Sequence, residues 1–133
     1  MESRLIFYAG IAISGRLDEA IGHIKQGIRL NPLLDYYYFA HLGRCYRMKG
    51  QYEDALSEIK KALQVSPDEQ AILLNMASIY ALLDRQDEAD AAAKKFLEIN
   101  PNYSVERASK AWPYKNQADL KLFVDALCKA GLK

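Results

Sequence analysis

Phe39-Ala40-His41-Leu42-Gly43-Arg44-Cys45-Tyr46, followed by Ala55, Ile59, Ala62 and Pro67, is the stretch that decides the fold. Phe39, Leu42 and Tyr46 recur at three- and four-residue steps, and so do Ala55, Ile59 and Ala62. That spacing puts each set on one face of a helix. Gly50 stands between the sets, where a chain reversal needs a permissive backbone. Pro67 closes the segment, because proline cannot continue a helix. The stretch therefore predicts two helices joined by a tight turn.

Moving outward, the same punctuation recurs. Asn31-Pro32, Ser66-Pro67 and Asn100-Pro101 place prolines at intervals of 35 and 34 residues. Ala20, Ala55 and Ala89, each behind an acidic pair (Asp18-Glu19, Glu53-Asp54, Asp87-Glu88), keep the same intervals. Two markers drifting together define an internal repeat near 34 residues, the signature of a helix-turn-helix array. Apolar periodicity predicts helices near 3–14, 17–30, 35–49, 52–65, 69–83 and 86–99. The acidic pairs fall in first turns, where they favour the positive end of the helix dipole.

These residues resemble the tetratricopeptide (TPR) family. Its pattern wants a bulky residue, Leu, a small residue and Tyr on the first helix, then Ala, a larger residue, Ala and Pro on the second. The middle unit supplies Phe39, Leu42, Gly43, Tyr46, Ala55, Ile59, Ala62 and Pro67. The third supplies Leu73, Met76, Ala77, Tyr80, Ala89 and Pro101, with Ala93 and Phe96 reversing the sizes. The first offers Phe7, Tyr8, Ile11, Gly15, Ala20, Ile24, Gly27 and Pro32, and is weakest in its opening helix. The resemblance implies an all-α fold: three repeats, about 1–34, 36–69 and 70–102, in a right-handed superhelical stack. Small residues (Ala20, Gly43, Ala55, Ala77, Ala89) let helix backbones approach, while Phe39, Tyr46 and Tyr80 fill the space between. One repeat cannot bury its own apolar faces, so such units stack.

Residues 103–133 depart from the pattern and read as a C-terminal capping helix pair. Ser104 is placed to cap a short helix over 105–111, which Trp112-Pro113 ends. Asn116 and Asp119 open a second helix over 117–130, and Gly131 is its left-handed terminator, with Leu132 folding back on Leu127. The tail is similar to the C-terminal ending of certain bacterial class III adenylate/guanylate cyclase-type proteins, on Pro113-Tyr114-Lys115, Ala118-Asp119-Leu120, Leu127 and Ala130-Gly131-Leu132. That likeness implies a repeat region cut from, or encoded beside, such a signalling protein, without implying cyclase activity in these residues.

The 133 residues are globular in composition, with 18 basic and 17 acidic side chains and a formal charge of +1. Such a balance argues against a nucleic-acid binder. No apolar run reaches membrane-spanning length. The run Leu5–Ile13, with Arg4 before it and Ser14-Gly15 after, could be read as a signal-peptide core. Glu2 and the repeat register favour a repeat helix instead. His23 and His41 stand on different helices without ligand spacing, and Cys45 and Cys128 form no redox or metal motif. Cys45 reads as a buried, inert thiol. No phosphate loop, metal motif or nucleophile elbow occurs, so no cofactor, metal or catalytic residue is expected. A reducing, cytoplasmic setting suits the free cysteines.

In the TPR family ligands lie in a concave groove lined by the first helix of each repeat. Carried over position by position, that groove takes Tyr37, Ala40, Arg44, Arg47 and Met48 from the middle unit. The third unit gives Ala71, Leu74, Ser78, Ala81 and Leu82, and the first gives Glu2, Leu5, Ala9, Ala12 and Ile13. Tyr37, Arg44 and Arg47 form one basic-aromatic spot, suited to a carboxylate or phosphate. The Lys and Asn clamp that some members use on chaperone tails is absent. Alternatively, the tail helix or a second copy of the domain fills the groove. The expectation is a non-catalytic protein–protein interaction module, the scaffold or regulatory region of a bacterial signalling protein. The alternatives are a free-standing adaptor or assembly factor, or a self-association module forming a homodimer.

Overall fold

The structure is a computed structural model in which residues 16–30, 36–112, 114 and 116–133 are described, the side chains of Tyr36 and Tyr37 excepted. The expected helix over 3–14, and with it the first repeat's groove positions, lies outside the described residues. Seven helices run through the described residues, without a strand: α1 (Leu17–Leu30), α2 (Tyr36–Met48), α3 (Tyr52–Val65), α4 (Gln70–Leu82), α5 (Gln86–Ile99), α6 (Val105–Ser109) and α7 (Gln117–Lys129). The bounds track the apolar period to within a residue or two. The chain divides into two compact units, Met1–Pro67 and Asp68–Lys133.

In the first unit α2 packs against both α1 and α3. The α1–α2 core joins Ala20, Ile21 and Ile24 to Tyr38, Leu42 and Cys45. Two glycines set how close the helices come. A Cβ on Gly27 would stand 2.8 Å from the Tyr38 ring, and one on Gly43 would stand 2.7 Å from Ile59 Cγ1. Both distances are shorter than van der Waals contact, so close helix approach depends on the missing side chains. Tyr38, only 1% exposed, is the large ring buried here, whereas Phe39 is half-buried. Sequence spacing assigns that place to Phe39. The reason is that α2 has helical neighbours on two sides, and Tyr38 meets the one at Gly27.

Gly50 closes α2 at a φ of +83°. Its N–H donates to the Arg47 carbonyl and that of Gln51 to the Tyr46 carbonyl, the paired bonds of a Schellman turn. Lys49 then reaches Asp18 across α1 and α2 at 2.5 Å.

In the second unit α4 packs against α5 and α7, and α6 against α7. Ile72, Leu73, Met76, Ala77, Ser78, Ile79, Tyr80 and Ala81 of α4 are all buried, so this helix is covered on most of its circumference. Ala89, Ala92, Ala93 and Phe96 are the buried residues of α5, and the Phe96 ring meets Tyr103 edge-on at 4.7 Å.

The tail folds as its residues direct. Ser104 Oγ accepts from the Arg107 N–H and Asn116 Oδ1 from the Ala118 N–H. Gly131 sits at a φ of +103°, and the Leu132 N–H donates to the Leu127 carbonyl at 3.1 Å. Leu127 and Leu132 are both buried. The Val105 N–H donates to the Lys133 carbonyl, tying the start of α6 to the chain end. Gln86 Nε2 donates to the Lys129 carbonyl, and Lys129 pairs with Asp84, so α7 is pinned at both ends of the α4–α5 turn.

Candidate docking surfaces

The residues proposed for a groove separate once the helices are in place. On α2, Ala40, Arg44 and Met48 follow one another at four-residue steps, each half-buried. Four-residue steps keep them on one face, with the Nε and Nη2 atoms of Arg44 themselves covered. Arg47 is 4% exposed. It stands one turn beyond Gly43, on the face pressed to α3, and lines no surface. Tyr37 lies among the residues whose side chains are not described. On α4, Ala71 is exposed and Leu74 half-buried, but Ser78 is fully buried, its hydroxyl donating to the Asn75 carbonyl at 2.7 Å. Ala81 is buried as well, and Leu82 half-buried. The basic spot thus reduces to Arg44 among the described side chains.

The α2 face also fixes protonation states. Burial, helped by the Arg44 guanidinium, lowers His41 to a pKa of about 4, so the ring is neutral near pH 7. Burial pushes the Cys45 thiol up to about 11, which keeps it protonated and unreactive. Cys128, by contrast, is exposed. Among the described residues no group of three or more His, Cys, Asp or Glu could hold a metal ion. The acidic first turns contain Asp18 and Glu19, Glu53 and Asp54, and Asp87 and Glu88. Glu19 is engaged by Arg16, and Glu88 by Arg85, which makes two bonds of 2.7 Å to it.

Two concavities lie elsewhere. In the first unit a groove of about 380 Å³ runs between α1 and α3 with α2 as its floor. Its lining is Gly22, Lys25, Ile28 and Arg29 from α1, Phe39 and Leu42 from α2, and Glu58 and Lys61 from α3. In the second unit a hollow of about 440 Å³ is bounded by Asp90, Ala93, Lys94, Leu97 and Glu98 of α5 and by Ala130 and Gly131. Neither was singled out from sequence. For the first, the signal is Gly22, Lys25 and Arg29 at three- and four-residue steps on α1, a second helix that lies outside the first-helix positions of the family groove.

Two tetratricopeptide-repeat family models match the chain, over residues 14–69 and 46–111, and together they span most of it. The chain belongs to the tetratricopeptide-repeat family. It is 28% identical over 114 residues to anaphase-promoting complex subunit 3 of Schizosaccharomyces pombe, which covers 84% of this chain. The chain spans only 17% of the length of that relative. Two crystal structures of MamA share the fold. One has a TM-score of 0.70 at 19% identity, covering 97% of this chain and 75% of the other, and the second has 0.69 at 19%, covering 97% and 70%. Family and fold together define a protein-interaction module built from helical repeats, a non-catalytic scaffold. No helix among the described residues is long and apolar enough to cross a membrane.

Proposed function

We propose that the chain holds a peptide or protein segment against the face of α2 that carries Ala40, Arg44 and Met48, and that the exposed and half-buried α4 residues Ala71 and Leu74 serve the second unit in the same way. The single observation behind this reading is the stripe at positions 40, 44 and 48. It offers two apolar contacts flanking the half-buried Arg44, whose Nε and Nη2 are covered, on a helix that packs on both sides. Arginine beside apolar surface is a favoured interface anchor, and its planar fork suits a carboxylate. Arg47 and Ser78 act from beneath, as packing.

The module belongs to the regulatory region of a bacterial signalling protein of the adenylate/guanylate cyclase type, acting in the cytoplasm. The support for this is the tail sequence around Pro113-Tyr114-Lys115 and Ala130-Gly131-Leu132. The genomic neighbourhood tests it: a class III cyclase domain in the same or the adjacent reading frame is expected, and an unrelated context removes the assignment. For the α2 face, titration calorimetry with a glutamate-rich peptide is the test. Arg44→Gln is expected to weaken binding about tenfold, and unchanged affinity would remove Arg44 from the site.

A further inference from the structure

Gly22 lies inside α1, where glycine is a poor helix former compared with alanine. The two other helical glycines among the described residues of this unit are explained by packing, since a Cβ on Gly27 or Gly43 would collide with Tyr38 or Ile59. Gly22 is different: nothing stands within 4 Å of the position a Cβ would take. What it borders is the groove between α1 and α3, and a side chain there would project into that space.

The groove has an apolar floor and a cationic rim. Leu42 is buried, Phe39 and Ile28 are half-buried, and Lys25, Arg29 and Lys61 are exposed. Its one carboxylate, Glu58, accepts from Lys61 Nζ at 3.0 Å. Lys25 and Arg29 make no ion pair within 4.0 Å among the described residues. Lys61 lies 6.0 Å from the centre of the Phe39 ring at the groove, and Lys25 lies 5.6 Å from that of Tyr46, with whose side chain it also hydrogen-bonds.

We infer that this groove is a second docking site, separate from the stripe at Ala40, Arg44 and Met48, and that it takes an acidic protein segment with an apolar anchor residue. The apolar side chain fills the space above Phe39 and Leu42 that Gly22 leaves open. Flanking carboxylates meet Lys25, Arg29 and Lys61. Charge complementarity selects the occupant, because the rim carries three cations against one carboxylate that Lys61 already engages. The apolar floor favours a peptide over a free anion, which would leave Phe39 and Ile28 uncovered.

The inference rests on the chain being an interaction module but not on Arg44, and the test separates them. The probe is a fluorescein-labelled peptide with glutamates on both sides of a leucine-phenylalanine pair, read by fluorescence polarisation on the whole chain. Saturable binding is expected, weakening with added salt. The exposed double substitution Lys25→Glu with Arg29→Glu should lower affinity about tenfold. Gly22→Gln should lower it by a similar factor while raising the melting temperature, which rules out unfolding as the cause. A glutamine-for-glutamate control peptide should not bind. Absence of saturable binding overturns the proposal, as does binding that survives Gly22→Gln. Binding lost only on Arg44→Gln places the peptide on the other face and overturns it too. So does self-association in sedimentation that Lys25→Glu with Arg29→Glu abolishes, which would make a second copy the occupant.

Discussion

The two units solve one packing problem with opposite choices of size. A shift of 34 residues carries Gly43 onto Ala77, Ile59 onto Ala93 and Ala62 onto Phe96. In the first unit a buried isoleucine is accommodated because its facing helix offers no Cβ at position 43. In the second, the small pair Ala77 and Ala93 is buried and the bulk moves one turn along α5 to Phe96. Repeat identity therefore resides in the summed volume of a register, not in any one residue. The turns differ in the same way. Gly50 occupies the left-handed position after α2, and Asp84 occupies it after α4 at a φ of +58°. An aspartate there costs backbone strain, which its pairing with Lys129 of α7 offsets. Histidine marks a third contrast, since both lie in the first unit.

The largest effect is expected in the second unit. Phe96→Ala removes its largest fully buried side chain and strips Tyr103 of its edge-on partner, for a loss of about 3–5 kcal/mol in chemical denaturation. A loss below about 1 kcal/mol would show that the bulk does not sit at this register.

Acid should break the symmetry next. The native His41 pKa of about 4 lies below the ordinary 6.5. As pH falls from about 6.5 to 4, the unfolded chain takes up a proton that the native chain refuses. Stability contributed by the neutral ring is complete above that window and is lost across it, at about 1 kcal/mol per pH unit. Hydrogen exchange at pH 5 should show protection falling in Leu17–Val65 before Gln70–Lys129, and His41→Gln should abolish the difference. Equal loss in both units would contradict the assignment.

A double-mutant cycle sharpens the size argument. Gly43→Ala is expected to cost about 1–2 kcal/mol with Ile59 present, overpacking outweighing the better helix propensity. In an Ile59→Ala background, itself destabilised, the same change should be close to neutral, because the approach to the Ala55 carbonyl at 3.2 Å remains and opposes the better helix propensity. Additive effects would mean the two positions do not press on each other. Smallest are the end effects. Asn116→Ala should cost about 1 kcal/mol through the lost bond to the Ala118 N–H. Asp84→Gly should change stability little, with relief of backbone strain and loss of the Lys129 pair opposing each other.

Much of this was legible because it is written in short-range chemistry. Proline and alanine spacing gave the helices, and Gly131 with Leu132 gave the terminal turn, since both depend on residues a few positions apart. Asp84 was not legible as a turn residue, because its left-handed conformation is tolerated through a side chain 45 positions away. Sequence position puts Arg47 and Ser78 at the surface for a related reason. A position rule places them on the right helix, but burial depends on how many neighbours that helix gathers, and α2 and α4 each pack against two. Arg44 is half-buried three positions from the buried Arg47, a difference of about sixty degrees around the helix. The Gly22 groove needed three helices in place before its lining could be seen together.

Backbone amide shift mapping of the chain, titrated with the leucine-phenylalanine acidic peptide, bears most directly on the docking account. Shifts are expected to gather on the groove side of α1, α2 and α3, led by Gly22, Lys25, Phe39 and Lys61, with α4 to α7 unmoved by that peptide. An unperturbed spectrum at saturating peptide, or shifts centred on α5 and α7, would contradict it.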